Sequence, residues 1–95
     1  MDVRLTPRAA SQLAELGQPA AKKLDRALRI LQAVPHSGLP YPEGSRFHGS
    51  YYKVVTVRAR RWTYRLTYTI VNDVLWVRFV YPSWHPRTHP GPHNL

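Results

Sequence analysis

The sequence predicts an α+β domain, with an N-terminal helical hairpin packed on one face of a small, mainly antiparallel twisted sheet. Three observations carry this. Residues 51–81, YYKVVTVRARRWTYRLTYTIVNDVLWVRFVY, are dense in Val, Tyr, Thr, Trp and Phe, the β-branched and aromatic residues that fit a pleated, half-buried surface. Residues 7–34 instead space Ala and Leu at helical intervals between prolines. Asn72-Asp73 divides the β-rich stretch, and both residue types tolerate the positive φ of a two-residue hairpin loop.

Taken in order, residues 2–5 (DVRL) form a short first strand. Thr6-Pro7 reads as an N-cap followed by proline at the first helical position, where a missing N–H costs nothing. Ala9, Leu13 and Leu16 share one side of this helix, and Gly17 is its expected terminator. Pro19 opens a second helix with Ala20, Leu24, Ala27, Leu28 and Leu31 on one face, and Pro35 ends it. Residues 35–50 hold three prolines and three glycines and read as a connecting loop, from which Arg46 and Phe47 lead toward the sheet. Strands are expected at 51–58, 63–71 and 74–81, with Arg58-Ala59-Arg60-Arg61-Trp62 linking the first two. From Pro82 onward the density of proline argues against any regular helix or central strand. The expectation is a single domain over residues 1–89 with a flexible tail at 90–95.

A turn at Asn72-Asp73 sets a register. Val71 then faces Val74, and Ile70 with Leu75, Tyr68 with Val77 and Leu66 with Phe79 fall on one face. Arg65 with Val80, Thr67 with Arg78 and Thr69 with Trp76 fall on the other, since successive side chains alternate. One hairpin thus offers an apolar face to the helices and leaves open a second face carrying two arginines.

The charge is uneven in the same sense. Fourteen Lys and Arg against five acids give a formal charge of +9. Residues 46–87 contain eight of the basic residues and one acid, Asp73. A positive field centred on the sheet favours a polyanion, an anionic membrane or an acidic protein partner. Without cysteine there is neither a disulfide nor a thiolate zinc site. No apolar run approaches the ~20 residues of a membrane span, and the N-terminus lacks a signal peptide's apolar core. A cytoplasmic protein is the expectation.

The order of elements, together with Tyr52-Lys53-Val54 after Gly49 and Tyr64-Arg65-Leu66-Thr67-Tyr68 in the penultimate strand, is similar to the RelE/ParE superfamily of bacterial toxins. The resemblance spans residues 2–89. It implies the toxin of a toxin–antitoxin pair, with an acidic, partly disordered antitoxin as partner. It implies, for the RelE branch, metal-independent cleavage of messenger RNA on the ribosome, and for the ParE branch, inhibition of DNA gyrase. By position Lys53 matches the family's strand lysine and Arg65 its penultimate-strand arginine. Val55 stands where a second basic residue is expected, and Trp84-His85-Pro86-Arg87-Thr88-His89 matches the family's terminus loosely.

On that reading the chemistry is attack of a 2′-hydroxyl on the adjacent phosphorus. Arg65 takes the scissile phosphate, its fork being planar and permanently charged, while Lys53 or Arg87 adds charge stabilisation. His85 or His89 moves the proton, since histidine titrates near neutrality. Tyr81 or Trp84 stacks on a base. Arg58, Arg60, Arg61 and Arg78 are further phosphate contacts. Each of these residues has a plainer alternative: strand arginines and Lys53 as solvated surface, tail histidines as polar loop, and Trp76 as packing rather than a base platform. His85, His89 and His93 recur every four residues, but intervening prolines prevent a helix from aligning them, so no metal or other cofactor is expected. A ParE-like gyrase inhibitor and a non-catalytic RNA-binding module remain the competing functions.

Overall fold

The computed structural model describes residues 1–57 and 62–83, and for Trp62, Tyr81 and Ser83 the backbone alone. Seven elements follow one another: β1 (Asp2–Leu5), α1 (Pro7–Ala14), α2 (Gln18–Ala33), β2 (Leu39–Pro40), β3 (Tyr51–Val57), β4 (Trp62–Val71) and β5 (Val74–Ser83). The strands form one sheet in the order β1-β5-β4-β3-β2. β1 runs parallel to β5, and the other neighbours are antiparallel.

The helical hairpin starts as its sequence dictates. Thr6 caps α1, its hydroxyl accepting from the Ala9 N–H at 3.2 Å, with Pro7 in the first turn. Gly17 acts differently from expectation. α1 ends at Ala14 with Glu15 as its C-cap, and Gly17, in extended conformation, is the N-cap of α2. Ala20, Leu24, Ala27 and Leu31 of α2 are buried against Val55, Val57, Tyr64, Leu66, Tyr68, Leu75, Val77 and Val80 of the sheet. Full burial of each Leu or Val side chain among them is worth about 1.5–3 kcal/mol.

The β4–β5 turn falls at Asn72 and Asp73, whose φ values of 50° and 62° match the primed turn geometry that suits a twisted hairpin. The pairs Val71–Val74, Ile70–Leu75, Thr69–Trp76 and Tyr68–Val77 form as expected, and then the register slips by one. Thr67 pairs with Phe79, Leu66 with Val80, and Arg65 with Tyr81, so Arg78 opposes no residue of β4. The unbroken ladder that joins Leu66 to Phe79, Arg65 to Val80 and Thr67 to Arg78 does not occur. The reason lies in packing. The extra residue turns Val80 (3% exposed) into the core beside Leu66 and sends Phe79 to the far face.

This bulge sits where β5 loses its other neighbour. β1 ends at the pair Leu5–Val77, and bulges are best tolerated at sheet edges. The freed backbone groups are satisfied from α1 and its cap. The Thr6 hydroxyl donates to the Arg78 carbonyl at 3.0 Å, and the Val80 N–H donates to Gln12 Oε1 at 2.6 Å. Beyond the bulge β5 continues through Pro82, which pairs with Tyr64. A strand there was not expected. It is possible because this stretch of β5 is an edge, where proline's missing donor is tolerated.

The loop of residues 35–50 also contributes a short edge strand, β2, pairing Leu39 with Tyr52 and Pro40 with Tyr51. Its start is tied to the core by Tyr68, whose buried hydroxyl donates to the Pro35 carbonyl at 2.9 Å and accepts from the Gly38 N–H at 3.1 Å. A Cβ on Gly38 would clash with that hydroxyl and stand 2.8 Å from the Tyr52 carbonyl oxygen. Gly38→Ala is therefore expected to destabilise the fold by about 1–3 kcal/mol, the ordinary cost of overpacking, measured as a lowered denaturant midpoint.

Burial raises the Tyr68 pKa above 10.0, with the Gly38 N–H partly offsetting the rise and nearby Tyr51 adding to it. Tyr68→Phe leaves the Pro35 carbonyl and the Gly38 N–H without their partner, a loss of about 1–3 kcal/mol. The neutral phenol is the form the fold prefers, so this advantage is complete below the unfolded-state pKa. It declines as pH rises through the folded-state pKa, and the stability gap between parent and Tyr68→Phe should narrow there.

Candidate functional site

The strand register assigns each sheet residue to a face, because antiparallel partners share one. On the helix side lie Tyr51, Lys53, Val55 and Val57 of β3 with Tyr64, Leu66 and Tyr68 of β4. On the far side lie Tyr52, Val54 and Thr56 with Thr63, Arg65 and Thr67. Lys53 and Arg65 are thus separated by the sheet. The Lys53 ammonium donates to Ser37 Oγ at 3.1 Å, beside the end of α2.

The far face is not left bare, contrary to the simple two-sided expectation. The loop of residues 41–50 folds back over it and buries Tyr41, whose hydroxyl shares a 2.8 Å hydrogen bond with that of the fully buried Thr67. Tyr52, Tyr41, Phe47 and Phe79 then form a continuous row, with successive ring centroids 4.8, 5.2 and 5.7 Å apart. Three of the four rings carry a guanidinium: Arg65 lies 4.4 Å from the Tyr52 centroid, Arg46 5.1 Å from Phe47, and Arg8 4.7 Å from Phe79. Val54, Arg65's cross-strand partner, stays 49% exposed, so the face remains accessible beside Arg65.

Arg65 is the most constrained of these cations. It is half-buried, and its Nε is enclosed without a hydrogen-bond partner. Among the described residues the ion pairs are Arg4–Asp2 and Arg29–Asp25, both on the surface, so neither Arg65 nor Arg8, Arg46 or Arg78 has a carboxylate beside it. A guanidinium fixed on a ring, with no carboxylate paired to it among the described residues, suits an incoming anion. Among the described residues there is no cluster of three His, Cys, Asp or Glu able to hold a metal.

Of the sequence-derived candidates, the structure puts Arg65 on the far face and Lys53 on the opposite one, and exposes Arg78 at the bulge. Arg58, Arg60, Arg61, Trp84, His85, Arg87 and His89, the tail at 90–95 and the side chain of Tyr81 lie outside the described residues. Residue-level reading missed Tyr52, Tyr41, Arg8 and the role of Arg46-Phe47. One signal was available. An aromatic residue in a loop of glycines and prolines needs apolar cover, and the adjoining sheet face is the nearest source.

No protein-family model matches the chain, and no curated protein matches it by sequence. Two solved structures do resemble it. A chain of the intact E. coli RelBE toxin–antitoxin complex superposes with a TM-score of 0.66 at 20% identity, over 88% of this chain and 98% of that one. The isolated E. coli RelE toxin gives 0.67, also at 20% identity, over 88% of this chain and 85% of that one. Two N-terminal helices on a five-stranded, mostly antiparallel sheet, with the elements in this order, are thus the fold of the RelE toxin.

Proposed function

We propose that this chain is the toxin of a toxin–antitoxin pair and that it blocks translation by cutting messenger RNA on the ribosome. The observation that carries the reading is Arg65: a permanent cation, held on Tyr52, away from the helices and without a carboxylate among the described residues. The RelE-like fold supports the choice of a toxin. The E. coli structure containing an antitoxin supports a protein partner, expected to be acidic and partly disordered when free.

In this mechanism the 2′-hydroxyl loses its proton and attacks the adjacent phosphorus, and the departing 5′-oxygen is protonated. Arg65 bridges the non-bridging oxygens and gains strength as negative charge builds on them, which is how a preorganised donor lowers the barrier. The proton is assigned to His85 or His89, with Arg87 adding charge. Supporting this assignment, β5 runs directly alongside Arg65, which pairs with Tyr81, four residues before His85. Lys53, on the helix side and bonded to Ser37, is assigned to holding the loop rather than to the phosphate.

A ParE-like gyrase inhibitor is the second reading. It is favoured by one feature: on the far face of the β3–β4 ladder Arg65 is the sole basic residue described, its cross-strand partner being Val54. A non-catalytic RNA-binding module is the third, and it draws on charge and exposed aromatics alone. Inducing the protein and mapping transcript 5′ ends separates them. The nuclease reading expects new ends within translated messages, lost by roughly 10²-fold in Arg65→Ala, as for removal of one transition-state donor. Growth arrest with intact transcripts and a DNA-damage response would instead identify the gyrase inhibitor.

A further inference from the structure

Arg78, the extra residue of the β5 bulge, does not simply point into solvent. With Arg46, His48, Ser50, Phe47 and Phe79 it lines a depression of about 220 Å³. A second depression of about 120 Å³ adjoins it, sharing Arg46 and the two phenylalanines and adding Arg8 and Gln12. Phe47 and Phe79 meet edge to face at 5.7 Å and form the common floor. Arg46 and Arg8 lie over those rings. Three arginines therefore converge on one patch, and among the described residues no carboxylate pairs with any of them. Such a patch is self-repelling, and an anion between the guanidinium groups relieves that repulsion.

We infer that this patch is a second phosphate-binding subsite, set apart from Arg65 by the Tyr52–Tyr41–Phe47 row, and that it takes a backbone phosphate of single-stranded RNA. Arg46 and Arg78 supply the forks, and Ser50 and His48 add further polar groups to the lining. An acidic peptide is the other polyanion to weigh, and the surroundings disfavour it. A peptide gains affinity by adding to a free strand edge or by seating side chains in sockets. Here Thr6 and Gln12 already bond the β5 edge, and guanidinium groups cap both rings. A phosphodiester requires only charge and donors. Two cationic points on one face also fix the direction in which a strand lies across it.

The choice of RNA as occupant rests on the toxin reading, so the test measures binding rather than cutting. Fluorescence anisotropy of a labelled single-stranded oligoribonucleotide is followed over a salt series with the full chain and with Arg46→Ala/Arg78→Ala. Both side chains are exposed, and Arg46→Lys/Arg78→Lys keeps the charge as a control for folding. The double alanine variant should bind about tenfold or more weakly at low salt, and its log K against log salt slope should fall by about 0.7 for each phosphate lost. The lysine pair should retain most of the affinity, and Arg29→Ala should match the parent.

Unchanged affinity and slope in the double alanine variant would overturn the subsite, as would a loss confined to binding of a polyglutamate peptide. If the parent cuts no message yet its RNA binding depends on Arg46 and Arg78, the nuclease fails and the subsite stands. If cleavage and RNA binding both ignore the two substitutions, the subsite fails and the nuclease stands.

Discussion

One unpaired residue in the β4–β5 ladder governs what each side of the sheet presents. Up to Tyr68–Val77 the hairpin obeys strict alternation. At Arg78 it gains a residue, and every β5 side chain beyond it changes face relative to an unbroken ladder. Val80 joins the leucines under the helices, and Phe79 emerges on the far side to complete the aromatic row. The bulge is held from outside the ladder, by the Thr6 hydroxyl on the Arg78 carbonyl and by Gln12 on the Val80 N–H. The helix cap and the sheet edge are therefore one structural unit.

The aromatic row explains how a strongly basic surface is ordered although, among the described residues, no carboxylate pairs with its arginines. Phenyl and phenol faces carry partial negative charge, and each guanidinium over a ring gains about 0.5–1 kcal/mol at an exposed site. That is enough to orient Arg8, Arg46 and Arg65 but far from enough to neutralise them. The Nε of Arg65 is left buried and unpartnered. The cost of that unpartnered donor is offset by a continuous core on the other face, running from Ala20 to Leu31 of α2 across to Val80 of β5. The continuous core and the arginine-bearing aromatic row thus lie on opposite faces of one sheet, with Lys53 on the core side.

What could be read from residues alone follows the same division. The first strand, the Thr6-Pro7 cap, the α2 leucine face and the Asn72-Asp73 turn are specified locally, by φ preferences, caps and periodicity, and the structure agrees with them. The bulge at Arg78 was not legible, because alternation in the sequence is equally consistent with an unbroken ladder and nothing local marks the slip. It depends on which of Phe79 and Val80 fits beneath the helices, a tertiary question. Gly17 serves the other helix end for a related reason: with three residues between helices, the same glycine can close one or open the next. The pairing of Tyr41 with Thr67 and the docking of Phe47 join segments far apart in the chain, so beyond the need of loop aromatics for apolar cover nothing local specifies which rings meet.

The register across β4 and β5 tests this account most directly, since the placement of Phe79, Arg78 and Val80 follows from it. Cross-strand nuclear Overhauser contacts in the isotopically labelled protein read it residue by residue. The account expects backbone contacts pairing Thr67 with Phe79 and Leu66 with Val80, and none pairing Thr67 with Arg78. Contacts of Thr67 with Arg78 and of Leu66 with Phe79 would show an unbroken ladder and would contradict it.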